Sequence, residues 1–256
     1  MTTPVSTPAA ATPVLATESG QGPRAGNGLS LHGLPPECVP NLDDLVIQDD
    51  TPVDGILSEK NMRLLTEPLY SSWLGPGPGR GFLALANVGV FHTAGEPPLV
   101  PDVLLSLGVS QPADLSQKAN LSYFVWLRGK VPDVGLEIVS NREGGEADTK
   151  LRDYARIGVP YYVIYDPENL LSGGVLRAFQ LRGRKYELTD AHWLEEVGLG
   201  LLLWEGPFEG VNRSWLRWCD RDGRIIPTGA ERAVQATQEV ERLREQLRAL
   251  GVESPP

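Results

Sequence analysis

The sequence predicts an α/β fold: a central mixed β-sheet flanked by helices, with one more helix appended at the C-terminus. Three observations lead to it. Short apolar runs of strand length, bounded by Gly, Pro and Asp, recur along the chain, as in PDVLLSLGV and VGLEIV. A strand, a polar loop, a helix and a second strand follow one another between 134 and 166. From Ala233 to Leu250 apolar residues return every three or four positions among Arg, Glu and Gln, which is a helical pattern.

The first 40 residues are rich in Thr, Pro, Ala and Gly and carry no periodic apolar pattern. Such a segment buries too little surface to offset its ordering entropy, so 1–40 is expected to be a disordered tail. It lacks the basic start and apolar core of a signal peptide and the basic amphipathic face of a mitochondrial address. Order is expected from about Asn41, with one domain over 41–228 and an amphipathic, coiled-coil-like helix over 229–256.

Within the domain, SEKNMRLLTEPLYSSWL places Met62, Leu65, Leu69 and Trp73 on one helical face, with Ser58 as N-cap. Pro68 inside this run is expected to kink or split the helix. GPGPGRG then breaks the chain before a strand expected near 82–93. Val103, Leu105 and Leu107 alternate with Asp102, Leu104 and Ser106, which predicts a strand entered at Asp102. Tyr123 to Leu127 reads as a short strand and Arg128 to Lys130 as a turn. A strand over 134–140, a helix of about 147–157 and a strand over 161–166 follow; Gly158 ends that helix and Pro160 prevents its continuation. VLRAFQLRGRKYELT is a hairpin turning at Arg182 to Arg184, LGLLLWEG and WLRWCD are further strands, and DRDGR is a turn. Ala233, Ala236, Val240, Leu243, Leu247 and Leu250 form a heptad seam of roughly 2.5 repeats. That helix can either pack on its own domain or associate with a second copy or another partner.

Composition narrows the function. Hydrophobic content of 41% and charged content of 22% are ordinary for a globular chain, and no run approaches membrane-helix length. Cys38 and Cys219 are too few for a disulfide framework or a four-cysteine metal site, so a cytoplasmic location is expected. His32, His92 and His192 show no metal-ligand spacing, and no phosphate-binding glycine motif occurs. The net charge of −10 argues against strong non-specific nucleic-acid binding, although a local basic cleft is compatible with it.

Glu137 sits in the middle of the apolar run GLEIVSN, where an unpaired carboxylate is costly to bury, so it needs either a partner or a chemical role. Asp102, Glu137 and Lys150 together are the residue types that metal-assisted phosphodiester hydrolysis needs. Two carboxylates can share a hard divalent cation and a lysine can stabilise developing negative charge. Each has a plainer reading: Asp102 as a turn cap, Glu137 in a structural ion pair with Lys150, Lys150 as an exposed helix residue.

The order Pro101-Asp102, then GLEIVSN, then DTKLRDYARIGVPYYVIYDP, resembles the Uma-two family of restriction-endonuclease-like proteins, within the PD-(D/E)xK nuclease superfamily of cyanobacterial type. The similarity covers roughly Val53 to Thr228. It implies a restriction-endonuclease-like core and a Mg²⁺- or Mn²⁺-dependent DNA endonuclease, with Asp102 and Glu137 as metal ligands. The superfamily's lysine normally lies two residues after the second acid, where this chain has Val139; Lys150 in DTK matches the position to which this family moves it. Glu59 loosely matches a further acid of the superfamily. DNA is the implied substrate, no membrane is involved, and cutting both strands would suit a homodimer. Positive charge for DNA is expected from Arg142, Arg152, Arg156, Arg177, Arg182, Arg184 and Lys185. Tyr154, one helical turn after Lys150, either packs over the site or lies in the core, and the core is expected. The alternative is an inactive nuclease fold kept as an interaction module assembling through its C-terminal helix.

Overall fold

The computed structural model describes residues 55–140 and 149–250. The expected tail over 1–40, the onset of order near Asn41, His32, Cys38, the loop with Arg142, and the last residues of the expected C-terminal helix lie outside the described residues.

Helix α1 (Ile56–Ser71) leads into strands β1 (Phe82–Ala86), β2 (Val90–Phe91) and β3 (Val103–Leu107). Strand β4 (Tyr123–Phe124) and the single turn α2 (Val125–Arg128) precede β5 (Val134–Ile138), helix α3 (Leu151–Ile157) and β6 (Tyr161–Tyr165). Two hairpins follow, β7 (Leu176–Arg182) with β8 (Lys185–Thr189) and β9 (Gly200–Phe208) with β10 (Val211–Cys219), before helix α4 (Gly229–Ala249). The main sheet runs β1-β3-β5-β6-β7-β8; only β5 and β6 are parallel, joined by the α3 crossover. This is the mixed sheet with flanking helices that the sequence predicted.

The central strands are buried from end to end because both faces are covered, which is why they read as nearly continuous apolar runs. Val103, Leu105, Leu136, Ile138, Val163 and Tyr165 face Met62, Leu65 and Leu69 of α1. On the opposite face Val139, Tyr162 and Ile164 pack with Tyr154 of α3. Glu137 falls between Leu136 and Ile138, so strand alternation sends it to the α3 side.

The β9–β10 hairpin closes through Glu209 and Gly210, both at positive φ (48° and 78°), as the twist-matched two-residue turn requires. It braces α1, since the Trp218 indole N–H donates to the Leu65 carbonyl at 2.8 Å. Arg217, on the same strand, is buried; its guanidinium lies 5.0 Å from the Trp204 ring and donates to the Glu231 carboxylate at 2.7 Å.

Several elements differ from expectation. α1 is not split at Pro68; the proline enters the last turn, the helix ends at Ser71, and the Ser72 N–H donates to the proline carbonyl at 2.9 Å. The strand expected over 82–93 is two strands, separated where Asn87 turns to φ 52°. The segment expected to be a strand to Leu127 stops at Phe124 and winds into α2, which Gly129 ends at φ 75°. α4 forms as expected, capped by a Thr228–Glu231 capping box, but none of its residues is buried.

Candidate active site

β3 and β5 are antiparallel with Val103 opposite Leu136 and Leu105 opposite Val134. One step further along the same register sets Asp102 opposite Glu137, on the α3 side of the sheet. Asp102 ends the ladder with its side chain: Oδ2 accepts from the Ile138 N–H at 2.5 Å, while its carbonyl accepts from Asn87 N–H at 3.1 Å. The half-buried aspartate thereby caps the ladder end, the plainer role considered for it, in a position that also sets it beside Glu137.

Glu137 is 1% exposed and both its oxygens are engaged. Lys150 Nζ donates to Oε2 at 2.8 Å, and Tyr154 OH donates to Oε1 at 2.8 Å. The two donors stand one helical turn apart at the start of α3, which is why both reach the same carboxyl. Lys150 keeps about a third of its side chain in solvent (34%), so the ammonium forms the mouth of the site and Tyr154 its floor. The floor exists because Gly135 has no side chain. A Cβ there would stand 3.1 Å from Tyr154 Cε1, and the ring instead lies over the glycine and stacks on Tyr162 at 4.9 Å.

Burial pushes the Glu137 carboxyl up to about 8; the Lys150 charge opposes this and the Asp102 charge adds to it. The Tyr154 hydroxyl is held far above its ordinary range, first by burial and then by Glu137. A bare carboxylate in this place is electrostatically unfavourable, and the Lys150 ammonium and Tyr154 hydroxyl offset part of that cost.

Asp102, Glu137 and Lys150 are therefore brought together, and Glu59 is not among them. It lies on α1, across the sheet, and pairs with Arg63 at 2.8 Å. Val139, two residues after Glu137, is buried in the apolar cluster of Tyr154, Val159, Tyr162 and Ile164. Among the described residues no three His, Cys, Asp or Glu side chains converge, so the cluster of acids is limited to a pair.

The sequence model of one family, Uma2, described as "Putative restriction endonuclease", matches residues 47–203, more than half of the chain. The chain belongs to the Uma2 family. The match spans the sheet from β1 to β8 and both carboxylates of the site, and the six-stranded sheet with its helices is a restriction-endonuclease-like fold. Uma2 membership makes nuclease chemistry the coarse function of the chain. No curated protein matches it. No described helix is long and apolar enough to cross a membrane.

One contact of this Uma2 site went unread in the sequence. Tyr154 is core, as expected, but it is also a donor to Glu137; its position four residues after Lys150 was the available signal. The expected basic residues are partly gathered. Arg152 and Arg156 of α3 and Arg184 and Lys185 of the β7–β8 turn line one groove of about 640 Å³ with Leu151, Ala155 and Tyr186. Arg156 in that groove also pairs with Glu96 at 2.6 Å. Arg182 instead donates to Gln180 at 2.7 Å, and Arg142 lies outside the described residues.

Proposed function

We propose that this Uma2 chain is a divalent-metal-dependent DNA endonuclease in which Asp102 and Glu137 hold Mg²⁺ or Mn²⁺ and Lys150 is the catalytic lysine. The observation that carries the proposal is the arrival of the Lys150 ammonium at Glu137, the carboxyl that faces Asp102 across the β3–β5 ladder. The donor set is two carboxylates with no His or Cys beside them among the described residues, which fits a hard cation that retains water and does not fit zinc. Bound there, the cation supplies Lewis-acid polarisation of the scissile phosphate and activation of a water.

The chain's own groups do the rest. Tyr154 holds Oε1 of Glu137 and so fixes the plane of the carboxylate. Lys150 can swing from Oε2 toward a bound phosphate because its side chain is partly in solvent, and there it stabilises the charge that develops on phosphorus oxygens. Water oxygen joins phosphorus as it gives up a proton to solvent, the opposite P–O ester bond breaks, and the leaving oxygen takes a proton from solvent. The basic groove on the outer side of α3 supports a polyanionic substrate in a chain whose net charge is −10.

The test is nicking of supercoiled plasmid by the purified full chain with Mg²⁺. Cleavage is expected, with loss on chelation and in Glu137→Gln. No cleavage with either metal, or equal cleavage by the variant, refutes the proposal. A second reading, a nuclease fold kept for assembly, draws on the saturation of both Glu137 oxygens by protein donors and on the exposed α4. It requires that titration with Mn²⁺ shows no binding at all.

A further inference from the structure

Helix α4 leaves the domain from a firmly built root and then stands clear of it. At the root, Thr228 and Glu231 cap each other, Arg217 donates to Glu231, and the Gly229 N–H donates to Glu67 of α1 at 3.0 Å. Arg232 reaches the Ser71 carbonyl. From Arg232 onward every described residue is exposed, including Val240 at 46%, Leu243 at 45%, Leu247 at 39% and Leu250 at 77%. Apolar side chains spaced 3, 4, 3, 4, 3 along one stripe of an otherwise charged helix are a seam without a cover.

We infer that α4 pairs in parallel with α4 of a second copy of this chain. The spacing assigns Ala233, Val240 and Leu247 to the a positions and Ala236, Leu243 and Leu250 to the d positions. A β-branched residue at the central a and leucine at the d positions that follow favour two parallel strands. The flanking charges are self-complementary in that arrangement alone. Glu239 is a g residue and Arg244 the e residue five positions on, so each parallel pair of helices brings Glu239 to Arg244 of the other copy twice. In the antiparallel register that overlaps all six seam residues, Glu239 would meet Gln246 and Arg244 would meet Thr237, with no ion pair. The Glu239 carboxylate already accepts from Arg242 within its own helix, which leaves it ordered on the flank of the seam. Small Ala233 and Ala236 let the two helices approach closely where they leave the domains. The seam covers about 18 residues, roughly 27 Å of helix, so the association is modest in strength and concentration-dependent. Pairing is independent of the nuclease reading; a pair with no cutting activity satisfies it equally.

The experiment is light scattering and sedimentation of the full chain across a hundredfold range of concentration. A mass moving from 27.8 kDa toward twice that value is expected, with the dissociation constant raised at least tenfold in Leu243→Glu. Glu239→Arg and Arg244→Glu should each weaken the pair severalfold, and an equimolar mixture of the two variants should recover it. Ala233→Cys reports direction: parallel helices bring the two introduced thiols together and oxidise to a dimer in high yield, whereas the antiparallel register sets them about 25 Å apart along the axis. A wild-type chain that stays monomeric throughout, a mass unaffected by Leu243→Glu, or failure of Ala233→Cys to crosslink in a chain that does dimerise overturns the inference.

Discussion

Tyr154→Phe isolates the least expected contact of the site. The change removes only the hydroxyl that donates to Glu137 Oε1 at 2.8 Å and keeps the ring that lies over Gly135 and stacks on Tyr162. Glu137 is 1% exposed, so no water replaces the lost donor without opening the core. A hydrogen bond to a buried carboxyl contributes about 1–3 kcal/mol, which lowers the melting temperature of a domain this size by roughly 3–10 °C. Its second consequence is functional: with Oε1 released the carboxyl can rotate, and metal affinity should fall about 10–100-fold, as for other groups that orient a ligand. Thermal melting gives the first number and Mn²⁺ titration by calorimetry or electron paramagnetic resonance the second. Tyr186→Phe is the control, because it deletes a comparable bond to the Val159 carbonyl at 2.7 Å without touching Glu137. It should lose stability and keep metal affinity. If both variants lose stability alone, or Tyr154→Phe loses neither, Tyr154 does not position the carboxyl and the reasoning fails.

Three further outcomes follow from the same geometry. Lys150→Met keeps the stem and removes the ammonium; plasmid cleavage should drop about 10²–10³-fold, and unchanged cleavage would remove Lys150 from the chemistry. Gly135→Ala places a Cβ 3.1 Å from Tyr154 Cε1, so the ring must shift by a few tenths of an ångström; urea denaturation should show a loss of about 1–3 kcal/mol together with slower cleavage. The α4 root should loosen in acid. Partial burial raises the Glu231 carboxyl, but the Arg217 hydrogen bonds and the Thr228 amide outweigh it and hold it below 4.5. The contribution is therefore present above about pH 4.5 and lost as pH falls through the lower folded value. Hydrogen exchange at 228–232 should accelerate in that window for the wild type and show no such step in Glu231→Gln.

What was legible in the sequence was what local rules control. The strand at 103–107, the crossover from 134 to 165 and the hairpin at 176–189 have alternation, a Gly158 stop and a glycine turn written into them. The misread places are those where a neighbour decides. Nothing around Pro68 announces that only one turn of helix remains after it, and the break at Asn87 depends on its amide bonding to Asp102 fifteen residues away. Asp102, Glu137 and Lys150 were singled out by residue type and family pattern, since Asp102 and Glu137 are 35 positions apart and meet only through strand register. Glu59, singled out in the same way, stands apart from the other three: the helix that carries it belongs to the other face of the sheet, a fact no spacing within α1 contains.

Val139 and Lys150 take complementary places around Glu137. A lysine at 139 would project to the same side as Glu137, into the apolar cluster of Tyr154, Val159, Tyr162 and Ile164, where desolvating an ammonium is costly. Valine there gives α3 a dry surface to sit on, and the seated helix sets Tyr154 across Gly135 and carries Lys150 to the rim. The cation is thus delivered from the solvent side, at 2.8 Å from Glu137, and keeps the hydration that a buried lysine would forfeit. Helix, tyrosine and glycine become conditions of one another in this arrangement. A lysine at 139 would unseat α3, and removing α3 would leave Glu137 without either of the donors that let it stay buried.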